Sequence, residues 1–339
     1  MAVEDRYSRQ TRFPGIGPDG QQKLGEARVV VIGCGALGTV CAEMLVRAGV
    51  GCLRLIDRDF VEWPNLQRQS LFTEADAEDG LPKATSAARA LRAINSTISV
   101  EPLVADLDLD NLDVLCGDAD LLLDGTDNFE TRYLLNDYAV REGLPWIYGA
   151  AVGSYGLGLA VVPGKAPCLR CIFPELPPPG EGETCETAGV ISPVIHMVAA
   201  FEVAAALRIL VGHSPPAGLF QVDVWNDQWR LMDVGGPSPD CPCCAYRDYV
   251  FLRGGAGSRP ERLCGRNAVQ VRPMVRQSVD LSRLARQLAP VGRVRLHPEL
   301  LRFSTSNYEI TVFPDGRAIV KGTDNPAEAR SIYARYVGA

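Results

Sequence analysis

Five charged side chains set the chemistry this chain could perform. Arg68 and Lys83 follow the second predicted strand, Asp57 and Asp59 stand at that strand's end, and Asp127 follows a later one. Ligands of open α/β sheets collect at the carboxyl ends of the strands, so these groups are expected to converge. Two cations there suit the phosphates of ATP better than the diphosphate of a nicotinamide cofactor. A carboxylate beside them suits a Mg2+ ion carried by the nucleotide. Taken singly, either cation is as well explained as a surface charge, because both types are mostly exposed.

The element that must position them spans residues 27–59, ARVVVIGCGALGTVCAEMLVRAGVGCLRLIDRD, and reads as strand, glycine turn, helix and strand. Residues 29–32 form the continuous apolar run of a strand buried on both faces of a parallel sheet. Gly33, Gly35 and Gly38, with Ala36 among them, let backbone approach a phosphate at the start of the next helix. Asp57, nineteen residues past Gly38, is placed to hold an adenosine ribose by its hydroxyls. A tight turn that binds nothing is the plainer alternative.

The flanking segments follow from local rules. In the polar arm before residue 27, Pro14, Gly15, Gly17, Pro18 and Gly20 break any long helix and leave a short one around 21–24. Arg9 sits in this arm without a local acidic partner. Trp63-Pro64-Asn65 ends the second strand, and Pro82 opens the next helix from within its first turn. Residues 98–104 and 119–124 read as strands, and Asn128 as the cap of a helix beginning at Phe129. That cap leaves Asp127 unexplained. Residues 145–150 and 152–162 are further strands, after which the alternation ends. The fold class expected is α/β: a Rossmann-like doubly wound sheet, parallel in its first half and mixed in its second, with a small α+β C-terminal module.

Composition narrows the partners. A formal net charge of -7 argues against nucleic acid, which normally requires a basic surface. The charged N-terminus has no apolar core of a secretory signal. The most apolar stretch, 194–211, contains Glu202 and Arg208, each costing roughly 2.5–3.5 kcal/mol at a bilayer centre. A buried or subunit-interface helix is therefore expected in place of a membrane span. An odd count of eleven cysteines points to cytoplasmic thiols and metal ligation over a disulfide framework.

The second half supplies Cys168 and Cys171, then Cys241 and Cys244, two C-x-x-C units that read as a closed, structural four-thiolate Zn2+ site with Cys243 spare. A single pair could be a redox dithiol; two pairs favour zinc. Between them, Cys185 precedes Ser192-Pro193, the expected cap and first turn of the long apolar helix. A thiol so placed can act as a nucleophile, or be inert. Residues 218–224 and 229–234 read as a closing pair of strands. The first domain is expected over 1–253. A module over 258–339 follows a glycine-rich link, with Asp280 capping a helix, a hairpin turning at Pro314-Asp315-Gly316, and Asn325-Pro326 opening a last helix.

RYSRQ at 6–10, GCGALG at 33–38, LIDRD at 55–59, NLQRQ at 65–69, PK at 82–83, GTDN at 125–128, TCETAGV at 184–190 and the two cysteine pairs together resemble the ThiF/MoeB/HesA family, bacterial relatives of the ubiquitin-activating enzymes. The likeness covers essentially the whole chain. The tail segments LCGRNAVQVRP and FPDGRAIVKGT are similar to the long ThiF form of the thiazole branch, and not to the rhodanese domain of some MoeB relatives. The resemblance implies an adenylyltransferase that uses Mg-ATP on the C-terminal glycine carboxylate of a small ubiquitin-like sulfur carrier ending in Gly-Gly, releasing pyrophosphate. Carriers for molybdopterin synthase or tRNA thiolation are the alternatives within the class, and an NAD-dependent oxidoreductase the alternative outside it. By resemblance Asp57 holds the ribose, Asn65, Arg68 and Lys83 the phosphates, and Asp127 the Mg2+. Gly33, Gly35, Ala36, Gly38, Asp59 and Asn128 line the nucleotide. Arg9 is similar to an arginine that reaches into a neighbouring subunit's site, which implies a homodimer. Cys185 is implied in covalent linkage to the carrier or in sulfur relay from a sulfur-donor enzyme. Ala36 stands where many members have glycine, and one methyl is tolerated there. An already ionised carboxylate needs no general base, in keeping with three histidines, none in a motif.

Overall fold

Five apolar segments lie side by side in parallel in the computed structural model, as expected of strands covered on both faces. The structure describes residues 6–176, 187–216, 218–254, 262–263, 267–271 and 278–338, and the chain divides into two units, Met1–Ala256 and Gly257–Ala339. In the first unit β1 (Arg28–Ile32), β2 (Cys52–Asp57), β3 (Ser99–Val104), β4 (Leu121–Asp124) and β5 (Trp146–Val152) are parallel. They are joined antiparallel by β6 (Tyr155–Val161), β7 (Leu219–Asp223) and β8 (Gln228–Met232). The order is β3-β2-β1-β4-β5-β6-β7-β8. The winding reverses between β1 and β4, the crevice where such sheets take ligands.

The helices are α1 (Gly17–Glu26), α2 (Ala36–Ala48), α3 (Glu74–Asp79), α4 (Lys83–Ile94), α5 (Leu112–Cys116), α6 (Phe129–Glu142), α7 (Leu169–Ile172) and α8 (Ser192–Leu210). Alternate strand residues point to opposite faces. Val29, Val31, Leu53 and Leu55 pack with α2, α4 and α8 on one side, and Val30, Ile56, Leu122 and Trp146 with α6 on the other. By length and composition α8 could cross a membrane. It packs on α2, β5 and β6 and buries Glu202 completely.

Three local expectations are corrected. The arm forms a ten-residue helix, α1, despite its glycines. Pro18 falls in the first turn, where no N–H partner is needed, and a Cβ on Gly20 would come within 3.2 Å of Ile16 and Val211, so glycine there serves close packing. Pro82 is the N-cap of α4, not part of its first turn, and Lys83 is the first helical residue. Ser192 does not cap α8: Ile191 is the N-cap, and Ser192 lies inside the helix facing His196 Nδ1 at 3.5 Å. By contrast Asn128 caps α6 as expected, its Oδ1 accepting the Thr131 N–H at 2.8 Å. The unforeseen α3 is closed by a reciprocal Thr73–Asp76 capping box, a signal present in the sequence.

The second unit has a six-stranded antiparallel sheet of β9 (Arg262–Leu263), β10 (Ala268–Val271), β11 (Arg293–Leu296), β12 (Leu301–Ser304), β13 (Glu309–Val312) and β14 (Ala318–Lys321), ordered β11-β12-β13-β14-β10-β9. Leu284 and Leu288 of α9 (Leu281–Leu288) and Ile332 of α10 (Pro326–Tyr336) share its core with Phe303 and Val312. Asp280 and Asn325 cap these helices, and the hairpin β13–β14 forms. Residues 257–339 carry 14 Lys and Arg against 7 Asp and Glu, so the acidic balance of the chain belongs entirely to the first unit.

Candidate nucleotide site and cysteine cluster

The glycine turn is built of backbone pressed on backbone. Gly33 has φ +91°, and its N–H donates to Ile56 O at 2.8 Å. A Cβ on Gly33 would lie 2.6 Å from Gly125 O, one on Gly38 1.8 Å from Gly33 O, and one on Gly125 2.3 Å from Gly33 O. The ends of β1 and β4 thus touch through main chain alone, and Asp127 follows two residues after that contact. Gly35 differs: its nearest neighbour to a Cβ would be 3.5 Å away. It is the N-cap of α2, with no side-chain cap, so the first N–H groups of that helix remain available to an anion.

Asp57 closes the turn from β2. Its two oxygens accept the Cys34 and Asp59 N–H groups, each at 2.6 Å. Burial pushes its carboxyl above the ordinary range, against the nearby Lys83 ammonium. Lys83 is buried and reaches Asp59 Oδ2 at 3.5 Å, while its N–H donates to Asp59 O at 2.9 Å. Lys83, Asp57, Asp59 and the turn are therefore one cluster. Asn65 is buried and its Oδ1 accepts the Glu62 N–H at 2.9 Å. Arg68, half-buried, donates to Pro64 O at 2.7 Å and has no acidic partner among the described residues. Arg9 is exposed and makes no hydrogen bond or ion pair among them. Asp127 is exposed at the tip of the β4–α6 loop, within electrostatic reach of Arg132.

Beneath that loop lies a buried polar cluster that sequence reasoning missed. Asp124, fully buried, holds the Thr126 N–H and hydroxyl with Oδ1 and the Arg132 Nε with Oδ2, at 2.7–2.8 Å. Glu202, also fully buried, accepts from the Cys41 thiol at 3.4 Å, and its Oε1 has no partner among the described residues. Burial first, and Asp124 second, raise its carboxyl well above the ordinary 4.5. The one signal available was an acid inside an otherwise apolar helix. A raised native value means that the unfolded chain ionises first, so stability falls as pH rises above about 4.5 through this group. Glu202→Gln, which removes that cost, is expected to raise the urea midpoint at pH 8 relative to the parent, with the gain disappearing toward pH 4.5. An equal midpoint at pH 8 would show that folding does not raise the Glu202 carboxyl.

The cysteine pairs meet. Cys168 Sγ lies 3.7 Å from Cys171 and 3.5 Å from Cys241, and Cys171 3.4 Å from Cys244. All four sulfurs fall within 4.8 Å of one another, near the edge lengths of a tetrahedron with ~2.3 Å metal–sulfur bonds. Such a set can hold a metal ion. The Ser238 N–H donates to Cys171 Sγ at 3.4 Å. Cys243, outside the set as expected, is buried and accepts from Asn136 Nδ2 at 3.3 Å. Cys185 lies outside the described residues.

Three comparisons bear on these sites. The model of the ThiF family matches residues 7–243. The "Sulfur carrier protein ThiS adenylyltransferase" of Bacillus subtilis is 47% identical over 335 residues, covering 98% of this chain and 99% of its own. The "Sulfur carrier protein adenylyltransferase" of Thermus thermophilus is 40% identical over 267 residues, 75% of this chain and 97% of its own. Among solved structures, E. coli MccB with ATP aligns with a TM-score of 0.61 at 28% identity, over 71% of this chain and 74% of that one.

Proposed function

The chain belongs to the ThiF family, and from that premise we propose that it is an ATP-dependent adenylyltransferase acting on the C-terminal glycine carboxylate of a ubiquitin-like sulfur carrier of the ThiS type, for the thiamine thiazole. The observation that carries this reading is the cluster at the ends of β1, β2 and β4. There Lys83 and Asp57 abut the glycine turn, and the loop of Asp127 is packed on it through Gly125. In the reaction a tail carboxylate oxygen bonds to the α-phosphorus of ATP while the bond to pyrophosphate breaks and its electrons leave with that group. Both reactants are anions, so the work required is alignment and charge neutralisation, with no proton to remove.

In this reading Asp57 takes the ribose hydroxyls, and Asn65, Arg68 and Lys83 take phosphate oxygens. Lys83 is held ready by Asp59. Gly33, Gly35, Ala36, Gly38 and Asn128 line the nucleotide. Asp127, an oxygen donor at a strand end, would hold Mg2+, which when bound neutralises phosphate charge. The four cysteines would hold Zn2+ as a structural clasp. Arg9 reaches the neighbouring subunit's site in a homodimer, and Cys185 takes part in linkage to the carrier or in sulfur relay from a sulfur-donor enzyme. In this reading residues 1–253 form the adenylation domain and 258–339 a small separate module. Nine described cysteines, all free thiols, suit a cytoplasmic setting.

A nicotinamide oxidoreductase would leave Arg68, Lys83 and Asp127 without a task. Exchange of labelled pyrophosphate into ATP, measured with each candidate carrier, tests the substrate. Exchange with the ThiS-type carrier is expected. Exchange with a molybdopterin-type carrier alone would overturn the choice, and tight NADH binding unaffected by ATP would overturn the class.

A further inference from the structure

Arg132 is a buried cation that the proposed reaction leaves without a role. It lies in the second turn of α6, 6% exposed, with its guanidinium 5.1 Å from the Tyr148 ring centroid and 5.6 Å from that of Phe129. Nε donates to Asp124 Oδ2 at 2.8 Å, and Nη2 to Thr126 O at 2.7 Å and Gly149 O at 2.9 Å. One side chain thereby ties the end of β4, the loop after it, and β5. The Thr126 residue is gripped from both ends, since Asp124 Oδ1 accepts its N–H and its hydroxyl while Arg132 takes its carbonyl. That carbonyl belongs to the peptide bond leading into Asp127. On the other side Asn128 is fixed as the cap of α6. Asp127 therefore stands between two anchored neighbours.

We propose that Arg132 is a positioning residue: by holding the Thr126–Asp127 peptide it sets where the Asp127 carboxylate meets the metal-bound nucleotide, and it does not touch the nucleotide itself. The inference rests on the reading of Asp127 as a Mg2+ ligand. A planar fork is needed, because two nitrogens must diverge to three acceptors at once; an ammonium on a single stem cannot span them. The role as a direct phosphate cation is disfavoured by the same bonds, which commit Nε and Nη2 to the chain.

The test is Arg132→Lys in the full chain, which keeps the charge and removes the fork. Binding of Mn2+ with a non-hydrolysable ATP analogue, followed by electron paramagnetic resonance, is expected to weaken about 10-fold, and kcat for pyrophosphate exchange to fall about 100-fold. Binding of AMP without metal should hold within about 2-fold, since nothing in the glycine turn is removed. Unchanged Mn2+ affinity with a lowered melting temperature would make Arg132 merely structural, and a loss of AMP affinity equal to that of Mn2+ would make it a nucleotide contact. Thr126→Val, which removes only a hydroxyl bonded to Asp124, loosens the same peptide with little change in volume. It should shift Mn2+ affinity in the same direction, and no shift there would overturn the proposal even if Arg132→Lys failed to fold. Asp127→Asn separates the two levels: if it leaves Mn2+ affinity intact, the reading of Asp127 fails, whereas if it abolishes binding and Arg132→Lys does not weaken it, only the positioning role fails.

Discussion

Asp127→Ala is expected to lower carrier-dependent pyrophosphate exchange by about 10³-fold, the scale of losing a fixed group that meets transition-state charge, while the protein stays folded. The two halves of this expectation rest on different observations. Asp127 is exposed at a loop tip, and exposed substitutions away from special features usually change stability by no more than ~0.5 kcal/mol. The melting temperature should therefore move by about 2 °C or less. Its neighbours stay anchored, because Thr126 is held by Asp124 and Arg132, and Asn128 by its bond to Thr131. The chemical loss follows from the proposed role of Asp127: when two anions must meet, removing an oxygen donor proposed for the cation between them would expose their repulsion. Titrating Mg2+ should not restore the variant to parental kcat. Full activity in Asp127→Ala, with a normal Mg2+ requirement, would remove this residue from the chemistry.

Removing the zinc ion proposed for the cysteine cluster should act in the opposite order, on the fold before the reaction. The four sulfurs join α7 to the segment after β8, about seventy residues apart in sequence, and binding of a structural zinc ion can be worth on the order of 10 kcal/mol. Cys168→Ser is expected to forfeit enough of this to lower the melting temperature by more than ~10 °C, given that each kcal/mol moves a unit of this size by roughly 2–4 °C. Below that transition the remaining folded protein should exchange pyrophosphate within about 3-fold of the parent, since a closed four-thiolate site has no open position for substrate. Metal content should be one zinc per chain for the parent, read by a colorimetric chelator, and near zero for the variant. A parent that carries no metal, or a variant that melts unchanged but is inactive, would contradict a structural clasp.

What could be read from residue order was whatever demanded fixed residue types at fixed spacing. The glycine turn, the acid at the end of β2 and the paired cysteines were legible because each is a short stretch of fixed residue types at fixed spacing, and the structure brings the turn and acid together and the four sulfurs together. So were the caps Asn128, Asp280 and Asn325, which act on the next turn of the same helix. Gly125 was not seen as part of the turn, since its contact with Gly33 exists only once β4 lies beside β1. Arg132 and the polar contacts of Glu202 escaped for the same reason: their partners come from other elements. Ser192 failed as a cap because the preceding residue is already extended and the helix begins one position earlier. In the tail, β11 and β12 are four residues each and alternate arginine with apolar positions, too little signal to mark two strands. Net charge averages over the whole chain, so the basic composition of the second unit is hidden in an acidic total. Arg68 is tied to Pro64 O and Arg9 is exposed, and no contact among the described residues gives either a task.

The packing of Gly33, Gly38 and Gly125 limits how this protein can diverge. At each of them the obstacle to a methyl group is the main chain of another member of the trio, so no trimming of a neighbouring side chain elsewhere can compensate. Single steps at these sites are dead ends. Gly35, alone among the turn glycines in meeting no such wall, is where inheritance can experiment, and a change there would register first as altered ligand preference in an intact fold.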